Sequence, residues 1–202
     1  MRARKRSNAE EASTWPRYLD ELRSLGPGRT RFAGVDLATG SSGVAVGSGD
    51  PHEATNRRLG IVTPEYKRGH DRFDFIAEKV VDFCETHQPH AVLFEAPLAA
   101  RGSSLQLVGL FHVVMRELWL RGFWLAQIQP SSLKVISAGN GHAKKPEIAV
   151  NVFKRWGVED TDDVVDAFAA SRAMAAYVHP DLALKAWRKS LTKIQLEPPR
   201  TP

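Results

Sequence analysis

Cysteine is all but missing from this chain: Cys84 is the one such residue in 202. That excludes an intramolecular disulfide and any cysteine-rich zinc centre, and it fits a reducing compartment. No apolar run reaches the roughly 20 residues that a membrane-spanning helix needs. The first residues carry charge and lack the apolar centre of a secretory signal. There is no internal repeat, which sets aside solenoids and propellers. These absences predict a cytoplasmic, soluble protein with no membrane partner. What remains is ordinary for a globular domain, with 43% hydrophobic and 25% charged residues. Lysine and arginine exceed aspartate and glutamate by 28 to 23, a formal charge of +5 that favours an anionic partner.

The composition changes along the chain and divides it in three. Residues 1–29 read as a basic, partly disordered extension, with Arg2, Arg4, Lys5 and Arg6 clustered. It contains a short helix, Pro16 to Leu25, stopped by Gly26-Pro27-Gly28. Residues 30–179 form the main domain. Residues 180–202 are a basic tail in which Lys185, Arg188, Lys189 and Lys193 surround Leu182, Leu184, Trp187 and Leu191. This predicts a basic amphipathic helix that frays from Glu197 onward.

Within the main domain, Phe32 to Asp36 reads as a buried strand ending in a carboxylate, and Gly43 to Gly47 as its return strand. Leu59 to Val62 is a candidate third strand. Phe73, Ile76, Ala77, Val80, Val81 and Cys84 recur at helical spacing over Asp71 to Glu85. Ala91 to Glu95 is another apolar strand that ends in an acid. Ser103 is placed to cap a long helix reaching Arg121, and Phe123 to Ile128 is a short strand. Gln129 to Gly141 reads as a polar, turn-rich loop that contains Lys134. Pro146 starts a helix to Trp156, and Thr161-Asp162 precedes an alanine-rich helix from Asp163 to Tyr177, slender enough to lie close on a sheet. Strands alternating with helices predict an α/β fold.

The acids carry the chemistry. Asp36 and Glu95 end two apolar strands, and Asp163 and Asp166, spaced i, i+3, share one helix face. If the strands are parallel neighbours, all four carboxylates meet at one sheet edge. Such a group is self-repelling and tends to hold protons unless a cation offsets it. Mg²⁺ or Mn²⁺, with their preference for oxygen ligands, meet that need. A pair of such ions can activate water and clamp a phosphodiester. Taken singly, Asp163 also reads as a helix-start residue, and each lysine as a solvated charge.

Four motifs, in this order, resemble the RuvC family of Holliday-junction resolvases within the RNase H-like superfamily. They are Gly34-Val-Asp36 followed by Gly43; Leu93-Phe-Glu95; Lys134 ahead of Gly139-Asn-Gly141-His-Ala-Lys-Lys145; and Asp163-Val-Val-Asp166-Ala167. The resemblance spans Arg31 to Tyr177. It implies an RNase H-like mixed sheet with helices on both faces, and a metal-dependent DNA endonuclease that resolves branched DNA in recombination and repair. It implies a homodimer, two Mg²⁺ or Mn²⁺ ions per site, and Asp36, Glu95, Asp163 and Asp166 as metal-binding catalytic acids. Lys145 then joins the catalytic group, and Lys134, Lys144, Lys145, Leu98 and Arg101 the DNA-binding set. Two positions depart from the family pattern. Asp36-Leu37-Ala38 stands where Asp-Pro-Gly is usual, and Leu98 where a wedging phenylalanine is common.

Three other functions are compatible with parts of the same pattern. One is an RNase H-like nuclease acting on flaps, forks or RNA–DNA hybrids. Another is a catalytically silent junction-binding protein, which four acids at one place disfavour. The third is an actin-like phosphotransferase, which needs a second phosphate-binding hairpin that the chain lacks.

Overall fold

A computed structural model describes residues 14–50, 56–97 and 105–197. Its elements in chain order are α1 (Thr14–Leu25), β1 (Arg31–Asp36), β2 (Ser41–Ser48), β3 (Arg57–Val62), α2 (Gly69–His87) and β4 (Ala91–Glu95). They continue with α3 (Leu105–Leu120), β5 (Leu125–Ile128), α4 (Pro130–Ala138), α5 (Lys145–Trp156), α6 (Asp162–Val178), α7 (Arg188–Leu191) and β6 (Gln195–Glu197). The strands form one mixed sheet of order β3-β2-β1-β4-β5-β6. β1, β4 and β5 run parallel at its centre, while β2, β3 and β6 are antiparallel to their neighbours.

The period-2 alternation of the strands sorts the core into two layers. On one face Ala33, Val35, Val44, Val46, Val92 and Phe94 meet α2 and α3. On the other, Phe32, Ala45, Ala91, Leu93 and Ile128 meet α6, which α1, α4 and α5 flank. The expected architecture, helices on both faces of a mixed sheet, is the observed one.

Helix α6 lies very close to the sheet, and small residues on both sides make this possible. Ala167, Ala169, Ala170, Ala173, Ala175 and Ala176 are all buried. A Cβ on Gly34 would overlap the Ala167 carbonyl and the Ser171 amide, and one on Gly43 would overlap the Asp163 backbone. Each glycine is therefore a place where helix and strand backbones nearly touch. The position of α6 on the sheet is fixed by these two contacts, and with it the position of the acids in its first turns.

Two segments differ from expectation. Gln129 to Gly141 is not a loop: residues Pro130–Ala138 form α4. Pro130 starts it, Leu133 and Ile136 bury one side, and Gly139 closes it in the left-handed region at φ 79°. The serines obscured a short helix whose apolar residues are only three apart. The tail from Pro180 is not one amphipathic helix but two 3₁₀ turns, the four-residue α7 and β6. Trp187, Leu191 and Ile194 are buried in the α6-side core, and β6 pairs with β5. The Arg155 guanidinium lies 5.0 Å from the ring centroids of both Trp156 and Trp187. The bases Lys185, Arg188, Lys189 and Lys193 remain exposed.

The N-terminal helix is held in the same way. Trp15, Leu19 and Leu22 are buried, Tyr18 stacks on Trp124 at 4.1 Å, and the Tyr18 hydroxyl donates to the His90 carbonyl. Among the described residues, no helix is long and apolar enough to cross a membrane.

Candidate active site

The register of the parallel strands builds the first half of the site. Val35 pairs with Phe94, so the next residues, Asp36 and Glu95, leave the sheet side by side at the carboxyl ends of β1 and β4. Alternation fixes their face: Val35 and Phe94 point toward α2 and α3, so Asp36 and Glu95 point toward α6. Helix α6 begins at that same end. Its first turns carry Asp162, Asp163 and Asp166, of which Asp163 and Asp166 are half-buried and Asp162 is exposed.

These acids act on one another electrostatically. Burial raises the Asp36 carboxyl well above the usual aspartate range, and Glu95, Asp166 and Asp163 raise it further against the pull of Lys145. Burial, reinforced by Asp166, pushes Glu95 up to about 7, although Lys134 and Lys145 oppose the shift. Asp166 is raised to about 6, mainly by burial; Lys145 lowers it, while Asp162 and Asp163 add to the rise. Burial works to lower the Lys145 ammonium, but Asp162 and Asp163 outweigh that and hold it above its ordinary value.

Two contacts position Asp163. The Ser41 hydroxyl donates to Asp163 Oδ2 at 2.5 Å, and Lys145 Nζ lies 3.8 Å from Oδ1. The same ammonium is 3.4 Å from Asp162 Oδ2. Neither Ser41 nor Asp162 stands out in the sequence as a site residue. Ser41 and Asp163 are 122 positions apart, and only the approach of α6 to the β1–β2 turn joins them. Lys134 lies on α4 and lines, with Asp36, Glu95, Leu37, Pro97, Leu107, Phe111 and Pro130, a cavity of about 270 Å³ beside the acids. Lys144 is exposed at the start of α5, where its amide donates to Glu147 Oε2. Leu98 and Arg101, expected to meet DNA, lie outside the described residues, as does Ser103.

Among the described residues, no group of three or more His, Cys, Asp or Glu side chains is closed up to hold a metal ion as it stands. The Asp163 carboxylate is engaged by Ser41 and Lys145 instead. The donor set nevertheless fits a hard divalent cation. It is all oxygen, it is half-buried, and it bears a charge excess that protons offset when no cation does.

That reading has a direct test in stability. Carboxyls raised above their unfolded values bind protons more tightly in the folded state. Their ionisation therefore costs stability as pH rises from about 4 through 7, on the order of 3 kcal/mol for Glu95 alone. The metal-free protein is expected to melt several degrees lower at pH 8 than at pH 5.5, with Mg²⁺ or Mn²⁺ restoring the difference at pH 8. A melting temperature indifferent to both pH and metal would contradict the coupling.

A mixed sheet with antiparallel strands on one side of β1 and parallel strands on the other defines a class when acids end β1 and β4 and a helix brings more acids across them. The class is the RNase H-like nuclease fold. No protein-family model matches the chain. A curated relative from Synechocystis, the crossover junction endodeoxyribonuclease RuvC, is 30% identical over 162 residues, covering 75% of this chain and 95% of the relative. The chain belongs to the RuvC family. Solved structures agree at the level of fold. RuvC of Thermus thermophilus superposes with a TM-score of 0.62 at 24% identity, covering 76% of this chain and 98% of that one. The same organism's RuvC in complex with a Holliday junction substrate gives 0.61 at 22%, covering 84% and 100%.

Proposed function

We propose that this chain is a divalent-metal-dependent endonuclease that resolves four-way DNA junctions, acting in the cytoplasm as a symmetric homodimer. The observation that carries the reading is the gathering of Asp36, Glu95, Asp163 and Asp166 at one end of the sheet, with Lys134 and Lys145 within electrostatic reach of them. Membership of the RuvC family gives the substrate class. A four-way junction has two-fold symmetry, and paired incisions on opposing strands ask for a protein with the same symmetry. Helix α3 is the candidate interface: Trp119 and Leu120 on it are each 36% exposed, and Val108, Phe111, Met115 and Trp119 line a groove.

Asp36, Glu95, Asp163 and Asp166 are the residues that would hold Mg²⁺ or Mn²⁺, two ions in the fullest arrangement. When bound, the ions would lower the pKa of water and offset charge on the leaving oxygen. The remaining work belongs to the protein. Ser41 holds the Asp163 carboxylate in one orientation. Lys145, pinned between Asp162 and Asp163, keeps a positive charge beside the place where the phosphate must sit, and Lys134 supplies a second one on the wall of the cavity.

A fixed charge at the reacting group counts most as negative charge builds in the transition state. Lys145→Ala is therefore expected to slow strand cleavage about 100-fold in single-turnover reactions while changing junction affinity only a few-fold. An affinity loss matching the rate loss would make Lys145 a general phosphate contact. The proposal as a whole is tested on four-way junction, fork, flap and duplex substrates with Mg²⁺, Mn²⁺ or chelator. Preferred, metal-dependent cleavage of the junction is the expected result. Preference for flaps, forks or hybrids would assign the site to a different branched substrate, and binding without cleavage would make the chain a silent binder.

A further inference from the structure

Beyond the acids, the same end of the sheet carries a feature that the cleavage site does not use. The connection from β3 to α2 is joined to the site through the edge hairpin. Val62 pairs with Ser41, the Thr63 amide donates to the Gly40 carbonyl at 2.9 Å, and Ser41 in turn donates to Asp163. The connection is well fastened. Lys67 N–H closes a turn onto the Pro64 carbonyl at 3.0 Å, and Arg72 Nε donates to the Lys67 carbonyl at 3.1 Å. Tyr66 occupies the third position of that turn and stands 78% exposed, and Val62, four residues earlier at the end of β3, is 76% exposed. Among the described residues Tyr66 makes no hydrogen bond and no ring contact. On the connection, residues 63–68, Lys67 and Arg68 outnumber Glu65, and Arg68 is exposed.

A single exposed aromatic needs no explanation. Here three properties coincide: a hydrogen-bonded turn that presents an exposed ring, two bases directly after it, and a place at the end of the sheet where Asp36 and Glu95 emerge. We infer that Tyr66 is a stacking platform for a nucleobase of the DNA beside the cut site, with Lys67 and Arg68 holding the adjoining phosphates. This rests on the nuclease reading in taking DNA as the partner. Every base has a face to stack, so such a platform accepts any sequence, and it suits nucleotides that a branch point leaves unpaired. Its role is positioning: it holds the strand that enters over the β2–β3 edge, on the far side of Asp163 from Glu95.

The test uses the full chain with a four-way junction carrying 2-aminopurine in turn at each nucleotide near the crossover, in chelator so that no strand is cut. The wild-type protein should quench one position by stacking. Tyr66→Phe should keep that quenching, whereas Tyr66→Leu should abolish it and weaken junction binding about tenfold. Lys67→Ala and Arg68→Ala should each make the fall of affinity with salt shallower by about one unit of slope. A Tyr66→Leu variant that binds as tightly as wild type with unchanged fluorescence at every position would overturn the inference. Wild-type cleavage with Mg²⁺, measured in parallel, tests the nuclease reading separately. If cleavage is absent while the Tyr66 effect persists, that reading falls and the platform stands.

Discussion

Asp36→Asn and Glu95→Gln are each expected to reduce junction cleavage about a thousandfold or more while leaving junction binding within a few-fold of wild type. Several kcal/mol of transition-state stabilisation depend on a site that neutral amides hold poorly, and each 1.36 kcal/mol is a factor of ten in rate. Binding is spared because phosphate contacts elsewhere, rather than the acids, supply affinity. The same variants should gain stability. Asp36 and Glu95 are half-buried carboxyls that repel their neighbours, so an uncharged isostere removes that cost in the metal-free protein at pH 8. Lost cleavage together with a raised melting temperature is a joint signature of a site strained for function. Lost cleavage with lost stability would point instead to an ordinary structural role. Asp163 lies inside the first turn of α6, behind the Thr161 N-cap, so Asp163→Asn removes a carboxylate without removing a cap, and loss of activity with little loss of stability marks a ligand.

Gly34→Ala is the second large effect, this time on the fold. The added Cβ would meet the Ala167 carbonyl and Ser171 amide, backbone atoms that no side-chain rotation can move. Helix α6 must lift from β1, at a cost of about 3 kcal/mol, which lowers the melting temperature by roughly 10 °C in a chain of this size. Gly28→Ala, with nothing within 4 Å of the new atom, should change it little. Gly43→Ala extends the argument to the site, because its Cβ would overlap the backbone of Asp163 itself. It should lose cleavage along with stability. A Gly34→Ala protein that melts with wild type would mean that α6 does not seat against the sheet as described.

Both results depend on features the sequence displays unevenly. Strand β4 is legible residue for residue, Ala91–Glu95, because five apolar or terminal-acid positions lie between clear breaks. The convergence of Asp36 and Glu95 is legible too, since two parallel strands of equal apolar length must release their final acids at the same edge. The alanine run of α6 announces close packing, but not which residues it packs against. That depends on Gly34 and Gly43, which read locally as permissive strand residues. Helix α4 is hidden by serines, and β6 by a misleading period: Trp187, Leu191 and Ile194 fall at the i, i+4, i+7 spacing of a helix, yet they sit on a 3₁₀ turn, at the end of α7 and just before β6. Ser41 is hidden for a different reason. A hydroxyl in a turn carries no sign of the carboxylate that long-range packing will bring to it.

The most direct measurement is to map the incisions made by the full chain in an end-labelled four-way junction with Mg²⁺. Two nicks are expected, related by the two-fold axis of the junction, that vanish with chelator and with Asp36→Asn. A junction that is bound but left intact in Mg²⁺ and in Mn²⁺ would contradict the proposed function.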